Sequence, residues 1–303
     1  MNNINSMDRL TQTIKRIDGA YAPSTIRAYG SDFRNFISHC EKNNHNPLPA
    51  EPSVVADYVG LLSTRKISSS YIRRIVLGIA IVHQLNRLND PTKDPDVRIA
   101  MRRMHRNLGR NAHQALGITK GVLEKLICAT SDSLRGARDR ALLHIAYDTL
   151  SRRSEVTSLL VEDIEWIETN GTAKILLRKS KTDQEAYGRW MFLTTDATTH
   201  LKAWLNLSQI KDGKIFRGIT NKNNLTNQLC RGQVNRIYKQ LAKLADLKNE
   251  VVKEISSHST RVGAAQDLMT SGASLPIIMT RGRWTKPDTV MRYLEYVKGI
   301  DLI

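Results

Sequence analysis

The spacing of apolar residues predicts helices along most of the chain. In the first hundred residues, apolar positions recur every three or four residues, and polar turns separate these segments. Helices are predicted for residues 7–17, 25–42, 54–62 and 71–88. In the second of them, Ile26, Tyr29, Phe33 and Phe36 share one face. Because no alternating strand pattern occurs here, this part of the chain is predicted to be a small helical bundle.

One segment of the chain has a pattern of residues that is typical of β-strands. Residues 173–177 and 187–193 read as two strands joined by a polar hairpin. Residues 141–164, just before, read as a buried helix that turns at 149–151 into a second helix. The first turn of that second helix carries Arg152, Arg153 and Glu155. The fold class predicted is therefore mainly α with a small antiparallel sheet.

Residues 256–296 predict three short helices. Serines at 256, 257 and 259 are suitable caps, and they would place His258 and Arg261 in the first turn of one helix. His258 and Arg261 are three residues apart and so share a face, where an anion could bind. Gly272 is a C-terminal signal, and Pro276 and Pro287 each suit the first turn of a following helix. The last helix carries Tyr293.

The net charge of the chain indicates what kind of partner it binds. Its 303 residues carry 46 Lys and Arg against 29 Asp and Glu, a net charge of +17. Such an excess is typical of proteins that bind a polyanion, most often nucleic acid. Residues 101–114 hold four arginines and two histidines without an acid, and Arg102, Arg103 and Arg106 are predicted to contact phosphates. The domains predicted are 1–104, a basic linker at 105–117, and 118–303.

Other classes of protein are disfavoured. The longest apolar run, residues 75–82, is far shorter than the roughly 20 residues that span a bilayer. No secretory signal pattern occurs, so we expect a cytoplasmic location. The three cysteines, Cys40, Cys128 and Cys230, are widely separated and follow no metal-ligand spacing, so we expect reduced thiols and no metal.

The C-terminal segment resembles the active-site block of the tyrosine site-specific recombinases, the phage integrases. His258 and Arg261 match the family's H-x-x-R, and Trp284 is followed nine positions later by Tyr293. The family also has an Arg three residues before a Glu, which selects Arg152 and Glu155 rather than Arg153. It carries a lysine on a β-hairpin, for which Lys181 in RKSKT is the best match and Lys179 the reserve choice.

The resemblance implies a role for each of these residues. Tyr293 would attack phosphorus to give a 3′-phosphotyrosine and a free 5′-hydroxyl. The guanidinium groups of Arg152 and Arg261 would hold the nonbridging oxygens, while Glu155 orients its neighbours. Lys181 would protonate the leaving oxygen, and His258 would accept a proton near Tyr293. Trp284 can donate its indole N–H but cannot relay protons. No metal or cofactor is implied, because the ester retains the energy of the broken bond.

The resemblance also implies an architecture and partners. A helical N-terminal domain and a catalytic domain would close as a clamp around double-stranded DNA that carries an inverted repeat. The protein would be a monomer in free solution and a homotetramer on two DNA sites, with no membrane partner. The expected location is the nucleoid, with the gene belonging to a prokaryote, a phage or a plasmid. Groove-facing positions by resemblance are Arg27, Ala28, Arg73, Arg74, Gln228, Arg231 and Asn235.

Three functions stay open at this stage. The first is a site-specific recombinase that passes through a four-way junction. The second is a type IB topoisomerase or telomere resolvase with the same chemistry, and the third is a DNA-binding accessory protein without strand cleavage. The apolar tail at 299–303 is predicted to insert into a neighbouring subunit, with packing on its own domain as the alternative.

Overall fold

The chain divides into two compact units, Met1–His113 and Gln114–Ile303. The computed structural model describes residues 5–110, 114–180 and 187–294. Lys181 and the apolar tail at 299–303 lie outside the described residues. Among those described, no helix is both long and apolar enough to cross a bilayer.

The described part of the first unit is a bundle of five helices, which confirms the predicted helical bundle and its four helices and adds a fifth that was not predicted. The helices are α1 (Ser6–Arg16), α2 (Pro23–Lys42), α3 (Pro52–Ser63), α4 (Ser69–Leu85) and α5 (Pro95–Leu108). The predicted face of α2 is buried at Ile26, Phe33 and Phe36, and it packs with residues of the other four helices into one core. Burial of such side chains contributes about 1.5–3 kcal/mol each, before the entropy of ordering them is subtracted.

Several helix ends differ from the prediction by one to three residues, and two of them have a clear physical reason. The second helix begins at Pro23 rather than at residue 25, because proline at the first turn has no N–H that needs a partner. Helix α4 ends at Leu85 rather than at residue 88. Arg87 adopts a φ of 59°, which turns the chain out of the helix.

Helix α5 contains part of the predicted linker. The helix continues through residues 105–108 and ends at Gly109, whose φ is 71°. Val97 and Met104 are buried in the core of the first unit, and Leu108 packs against it. This apolar stripe alternates with the arginines at 102, 103 and 106, which are exposed. The arginine run therefore lies on the outer face of a packed helix.

A buried histidine joins α4 to the loop before α3. The His83 ring accepts a hydrogen bond from the Ala50 backbone N–H at 3.0 Å and shares its other nitrogen with the Ile79 carbonyl at 2.8 Å. The Nδ1 atom must therefore carry the proton, because a carbonyl only accepts. Both bonds are made by the neutral ring.

The second unit is mainly helical with one small sheet. Its elements are α6 (Lys120–Cys128), α7 (Leu134–Asp148), α8 (Arg153–Val156), β1 (Ile164–Ile167), β2 (Thr172–Leu177), β3 (Arg189–Leu193), α9 (Thr195–Ser208), α10 (Arg231–Leu244), α11 (Asn249–Glu254), α12 (Ser259–Thr270), α13 (Leu275–Gly282) and α14 (Pro287–Leu294). This composition confirms the predicted fold class.

The sheet is antiparallel in the order β1, β2, β3. The predicted pair of strands, β2 and β3, is confirmed, with Ile175 opposite Met191. Strand β1 was missed, because the sequence pattern assigned residue 164 to a helix. Its four residues are too few to show an alternating pattern, and Ile164 pairs with Ile175 across the short turn to the next strand.

Three helices at the C-terminal end surround a separate apolar cluster. Helices α12, α13 and α14 match the three predicted, with Ser274 immediately before α13 and Gly272 at φ 84° after α12. We call the buried residues between them the C-terminal cluster. It consists of Leu150, Ala264, Ala265, Ile278, Trp284, Val290 and Leu294. This cluster fixes the segment that carries Trp284 and Tyr293 against the end of α7.

Acid is predicted to loosen the first unit at His83. Burial lowers the pKa of His83, and the Ile79 carbonyl and Asp90 offset only part of that effect. The pKa of His83 in the folded chain lies below its value of about 6.5 in the unfolded chain. The contribution of the neutral ring to stability is therefore complete above about pH 6.5 and is lost as the pH drops below that value. The protection factor of the Ala50 amide in the full chain, corrected for the intrinsic exchange rate at each pH, should fall between about pH 7 and pH 5.

Substituting His83→Leu should abolish this pH dependence, because no titrating ring then accepts from Ala50. The exposed His45 is a matched control, and His45→Gln should exchange like the parent chain. An Ala50 amide whose protection in the parent chain does not change over this range would contradict the assignment.

Candidate active site

A tight turn between α7 and α8 places Arg152. Helix α7 ends at Asp148, and Leu150 then adopts a φ of 48°, a left-handed conformation that L residues rarely hold. Ser151 donates its backbone N–H to the Ala146 carbonyl at 3.2 Å, which closes the turn. Arg152 is the residue that precedes α8, and its guanidinium group is partly exposed.

Glu155 fixes Arg152 from one turn further along. Its carboxylate accepts the Arg152 backbone N–H at 3.0 Å and the Arg152 Nη1 at 2.6 Å. A second guanidinium group, that of Arg283, donates to the same carboxylate at 2.9 Å. Burial alone would raise the pKa of Glu155, but the charge of Arg283 and the bonds from Arg152 lower it by more. Glu155 is therefore ionised and engaged from two sides.

Arg261 lies beneath this pair and is almost fully buried. It sits in the first turn of α12, as predicted, and is 1% exposed. Its terminal nitrogens donate to the carbonyls of Leu150 and Gly282, the second at 2.5 Å. Burial and the nearby guanidinium groups of Arg152 and Arg283 lower its pKa. A phosphate contact through these nitrogens would require Arg261 to exchange its carbonyl partners.

Trp284 covers Arg261 and adjoins Tyr293. The guanidinium carbon of Arg261 lies 4.1 Å from the centre of the indole ring, a cation–π contact. The indole and phenol ring centres are 5.6 Å apart with a 45° tilt. Trp284 is 7% exposed and Tyr293 is half-buried. The ring of Trp284 therefore joins the buried guanidinium group to the tyrosine.

The backbone of Tyr293 is held by α12. Gln266 donates its side-chain amide to the Tyr293 carbonyl at 3.1 Å. Val290 and Leu294, which precede and follow Tyr293 on α14, are buried in the C-terminal cluster. These contacts fix the register of α14. Tyr296, the other tyrosine near the end of the chain, lies outside the described residues.

His258 stands at the start of α12, one position before its first helical residue. The helix begins at Ser259, so His258 is the cap rather than part of the first turn as predicted. Its backbone N–H donates to the Ser256 hydroxyl at 3.1 Å. The ring is exposed at the rim, yet surrounding protein and the charges of Arg261, Arg153 and Arg152 lower its pKa. Its neutral form is therefore favoured near neutral pH, as a base requires.

Asn235 also supports the segment before His258. Its side-chain oxygen accepts the Ser257 backbone N–H at 3.0 Å. Sequence reasoning placed Asn235 among the groove-facing residues and missed this contact, because no local pattern connects positions 22 residues apart. The predicted groove-facing positions Gln228, Arg231 and Asn235 do not all lie on one helix. Helix α10 begins at Arg231, and Gln228 lies in the preceding loop, where its carbonyl accepts from Thr226.

The hairpin lysine stays a choice between two residues. Lys181, the predicted general acid, lies outside the described residues, and Lys179 is exposed after β2. The neighbouring Ser180 lines a cleft of about 390 Å³ together with Arg283 and Trp284. Ser180, the last described residue before the hairpin loop, thus borders the cleft beside Trp284, and the assignment of the general acid to Lys181 remains a prediction.

The predicted DNA contacts of the first unit are mostly exposed. Arg27 and Arg73 are exposed, and Ala28 is partly buried. Arg74 is engaged within the unit, because its guanidinium fork donates two bonds of 2.9 Å to the buried Asp32. It also lies 4.6 Å from the centre of the Tyr71 ring. Its outer face is 44% exposed, and its contact with DNA stays a prediction.

Arg283 is the site residue that sequence reasoning missed. It is 7% exposed and adopts a φ of 57° at the end of α13. The Trp284 N–H bonds to the Met279 carbonyl at 3.0 Å, so Arg283 holds the position in a helix end that usually favours glycine. The position of Arg283 next to Trp284 in the sequence could have drawn attention to it. That position alone could not show that the Arg283 side chain turns inward toward Glu155.

Comparisons with known proteins agree with this geometry. The sequence profile of the Phage integrase family matches residues 117–298. The chain is 28% identical to Recombinase cre of Escherichia phage P1 over 91% of this chain and 85% of that protein. It is 29% identical to an integrase/recombinase XerD homolog of Selenomonas ruminantium, over 96% and 87% of the two chains.

A solved structure shares the fold. XerH site-specific recombinase, bound to palindromic difH substrate in a post-cleavage complex, superposes with a TM-score of 0.66. The match covers 95% of this chain and 80% of that one at 17% identity. At this identity the likeness establishes a common fold.

The ring of Trp284 is predicted to depend on Gly282. A Cβ at Gly282 would lie 1.8 Å from the indole, a distance that forces the ring to move. We expect Gly282→Ala to lower the free energy of unfolding by about 1–3 kcal/mol through overpacking, and to displace the indole from Arg261. Thermal unfolding and near-ultraviolet circular dichroism measure the two effects.

Gly121→Ala is the matched control, because nothing lies within 4 Å of the Cβ it would add on helix α6. It should melt at or slightly above the parent temperature, since alanine favours the helix. Equal melting temperatures for the two variants would show that the indole does not lie against Gly282.

Proposed function

The chain belongs to the phage integrase family, and on that premise we propose that it is a site-specific DNA recombinase. It cleaves and rejoins DNA strands through a 3′-phosphotyrosyl intermediate and exchanges them through a four-way junction. The observation that carries the proposal is the placement of Tyr293 against Trp284, which covers Arg261, with Arg152 and Glu155 alongside.

The reaction begins with in-line attack by the Tyr293 phenolic oxygen on the scissile phosphorus. A bond forms between that oxygen and phosphorus while the bond from phosphorus to the 5′ oxygen breaks. His258 accepts the phenolic proton, and Lys181 gives a proton to the leaving 5′ oxygen. General acid and base catalysis of this kind contributes roughly 10² to 10⁴ in rate for each group. The number of phosphate ester bonds is conserved, so no energy source is consumed.

Arginine charge stabilises the transition state. The Arg152 guanidinium group is partly exposed, and Glu155 holds one of its terminal nitrogens, which leaves its remaining N–H groups for a nonbridging oxygen. Arg261 acts from below through its charge, which a buried position strengthens. Preorganised donors of this type supply about 2.7–4 kcal/mol each in other enzymes. The anion that binds here would relieve the mutual repulsion of the guanidinium groups.

Binding to DNA is expected to rest on the positive charge. The net charge of +17 and the exposed arginines of α5 favour contact with a phosphate backbone. We further propose, as the resemblance to the recombinase family implies, that protomers pair on an inverted repeat and that two DNA sites meet in a homotetramer. A type IB topoisomerase would instead relax a supercoiled circle without joining two sites, so a plasmid carrying two copies of the site separates the alternatives.

Loss of the nucleophile is predicted to abolish the covalent step alone. Tyr293→Phe removes the attacking oxygen and keeps the ring that packs on Trp284, so DNA affinity should stay within about twofold of the parent. The protein–DNA adduct on a denaturing gel should disappear with cognate DNA. Tyr296→Phe is the control and should retain the adduct. An adduct that survives Tyr293→Phe would assign the nucleophile elsewhere.

The salt dependence of DNA binding is predicted to show whether the exposed arginines of α5 contact phosphates. The slope of log affinity against log salt should become shallower by about 0.9 for each phosphate that the protein no longer neutralises. Arg102→Ala, Arg103→Ala and Arg106→Ala together should therefore reduce the slope by up to about 3 units while the site preference is retained. Fluorescence anisotropy at several salt concentrations measures both. An unchanged slope would show that these arginines remain in solvent when DNA is bound.

A further inference from the structure

Arg283 has contacts that the proposed reaction does not use. Its Nη2 donates to Glu155 at 2.9 Å, and its Nη1 donates to the Thr149 carbonyl at 2.9 Å. Nη2 also lies 3.4 Å from the Leu150 carbonyl, an acceptor that it shares with Arg261. Arg283 thus binds both ends of the turn that leads into Arg152.

The backbone at Arg283 adds a second observation. A φ of 57° favours glycine, and L side chains rarely adopt it. Arginine here also places its Nε in the interior without a hydrogen-bond partner among the described residues. Both features disfavour an arginine, so its retention in this position needs a compensating interaction. The carboxylate of Glu155 and the two carbonyls of the turn supply that interaction.

We propose that Arg283 is a positioning residue of the recombination reaction, which acts on the scissile phosphate through Glu155 and Arg152. It fixes the Glu155 carboxylate opposite Arg152, so that the Arg152 guanidinium group is held in one orientation while its outer N–H groups remain available. It also ties the segment that carries Trp284 to the turn that carries Arg152. The inference rests on the proposed function, because it concerns how the same site is ordered.

The charged groups around Glu155 determine how the removal of Arg283 would change the pKa of Glu155. Arg152 faces the carboxylate from the start of α8, Arg283 from the end of α13, and Arg261 and His258 from the start of α12. The positive charge of Arg283 favours the ionised carboxylate more than that of Arg152 does. Without Arg283, the pKa of Glu155 rises, and the carboxylate loses one of the two guanidinium groups that fix its orientation toward Arg152.

The variants Arg283→Met and Arg283→Gly separate the side chain from the backbone. Methionine keeps most of the buried stem without the charge, whereas glycine relieves the left-handed backbone and keeps the chain folded. Both should slow formation of the Tyr293 adduct on a nicked cognate duplex by about tenfold to a hundredfold, the typical loss for a hydrogen bond to a charged group. DNA affinity should stay within about threefold, because the phosphates are not contacted by Arg283.

The pH profile of cleavage gives a readout that a merely structural role would not move. His258 must be neutral and Glu155 ionised for cleavage, so the rate falls as pH drops through the pKa of either group. Removing Arg283 raises the pKa of Glu155, and the Glu155 part of the acid limb should move to higher pH in both variants. Arg283→Lys keeps a positive charge and should restore part of the shift.

A double-mutant cycle tests whether Arg283 acts through Glu155. When Glu155→Gln has removed the charge, the further change Arg283→Met should slow cleavage by less than about threefold, well below its effect in the parent chain. Arg281→Met is the matched control, since Arg281 is exposed and, among the described residues, its side chain donates to the Asp148 carbonyl alone, at 3.3 Å. It should cleave like the parent and keep the parent pH profile.

The outcomes separate this inference from the proposed function. Parent protein that forms an adduct, together with Arg283 variants of parent rate and parent pH profile, would overturn the positioning role and leave the function intact. Equal losses from Arg283→Met with and without Glu155→Gln would also overturn it. A parent protein that forms no adduct with any DNA bearing its selected binding site would instead overturn the proposed function.

Discussion

The buried carboxylate of Glu155 is the interaction on which the order of the site depends. Three guanidinium groups meet around it, and they approach from the starts of α8 and α12 and the end of α13. Buried like charges repel strongly in a region of low dielectric. A single carboxylate that accepts from Arg152 and Arg283 lowers this repulsion enough for Arg261 to remain buried. Without it, three helices that carry the site would be pushed apart.

The same region contains two unfavourable backbone conformations. Leu150 ends α7 and Arg283 ends α13, and each holds a left-handed φ without being glycine. Such a residue costs roughly 1–2 kcal/mol. The two positions face each other, and the Leu150 carbonyl accepts from both Arg261 and Arg283. Charged donors therefore offset the strain where the chain turns into Arg152. Strain of this kind is often found where a site must be held in one arrangement.

Much of this structure could be predicted from sequence, and the rest fails for identifiable reasons. Helices such as α12 and α13 carry their own start and stop signals, so Ser274 and Gly272 mark the ends correctly. Strand β1 has only four residues and no such signal, and it forms because Ile164 pairs with Ile175 of the next strand. The motif placed Trp284 and Tyr293 together, yet the inward turn of Arg283 and the bond from Asn235 to Ser257 depend on tertiary contacts. Residues that contact the reacting groups follow a short pattern, whereas residues that orient them do not.

The charge balance of the site suits a phosphoryl transition state better than a bound phosphodiester. Three guanidinium groups and one carboxylate leave two surplus positive charges. A phosphodiester carries one negative charge, and the pentacoordinate state formed by attack of a phenolate carries two. The site therefore compensates the transition state more fully than the ground state, which is the condition for rate acceleration. Trp284 fits this division of roles, because its indole covers a guanidinium group without adding a titrating proton. Under the proposed function, proton transfer is left to groups at the rim, where the exposed His258 can exchange with solvent while the buried charges stay fixed.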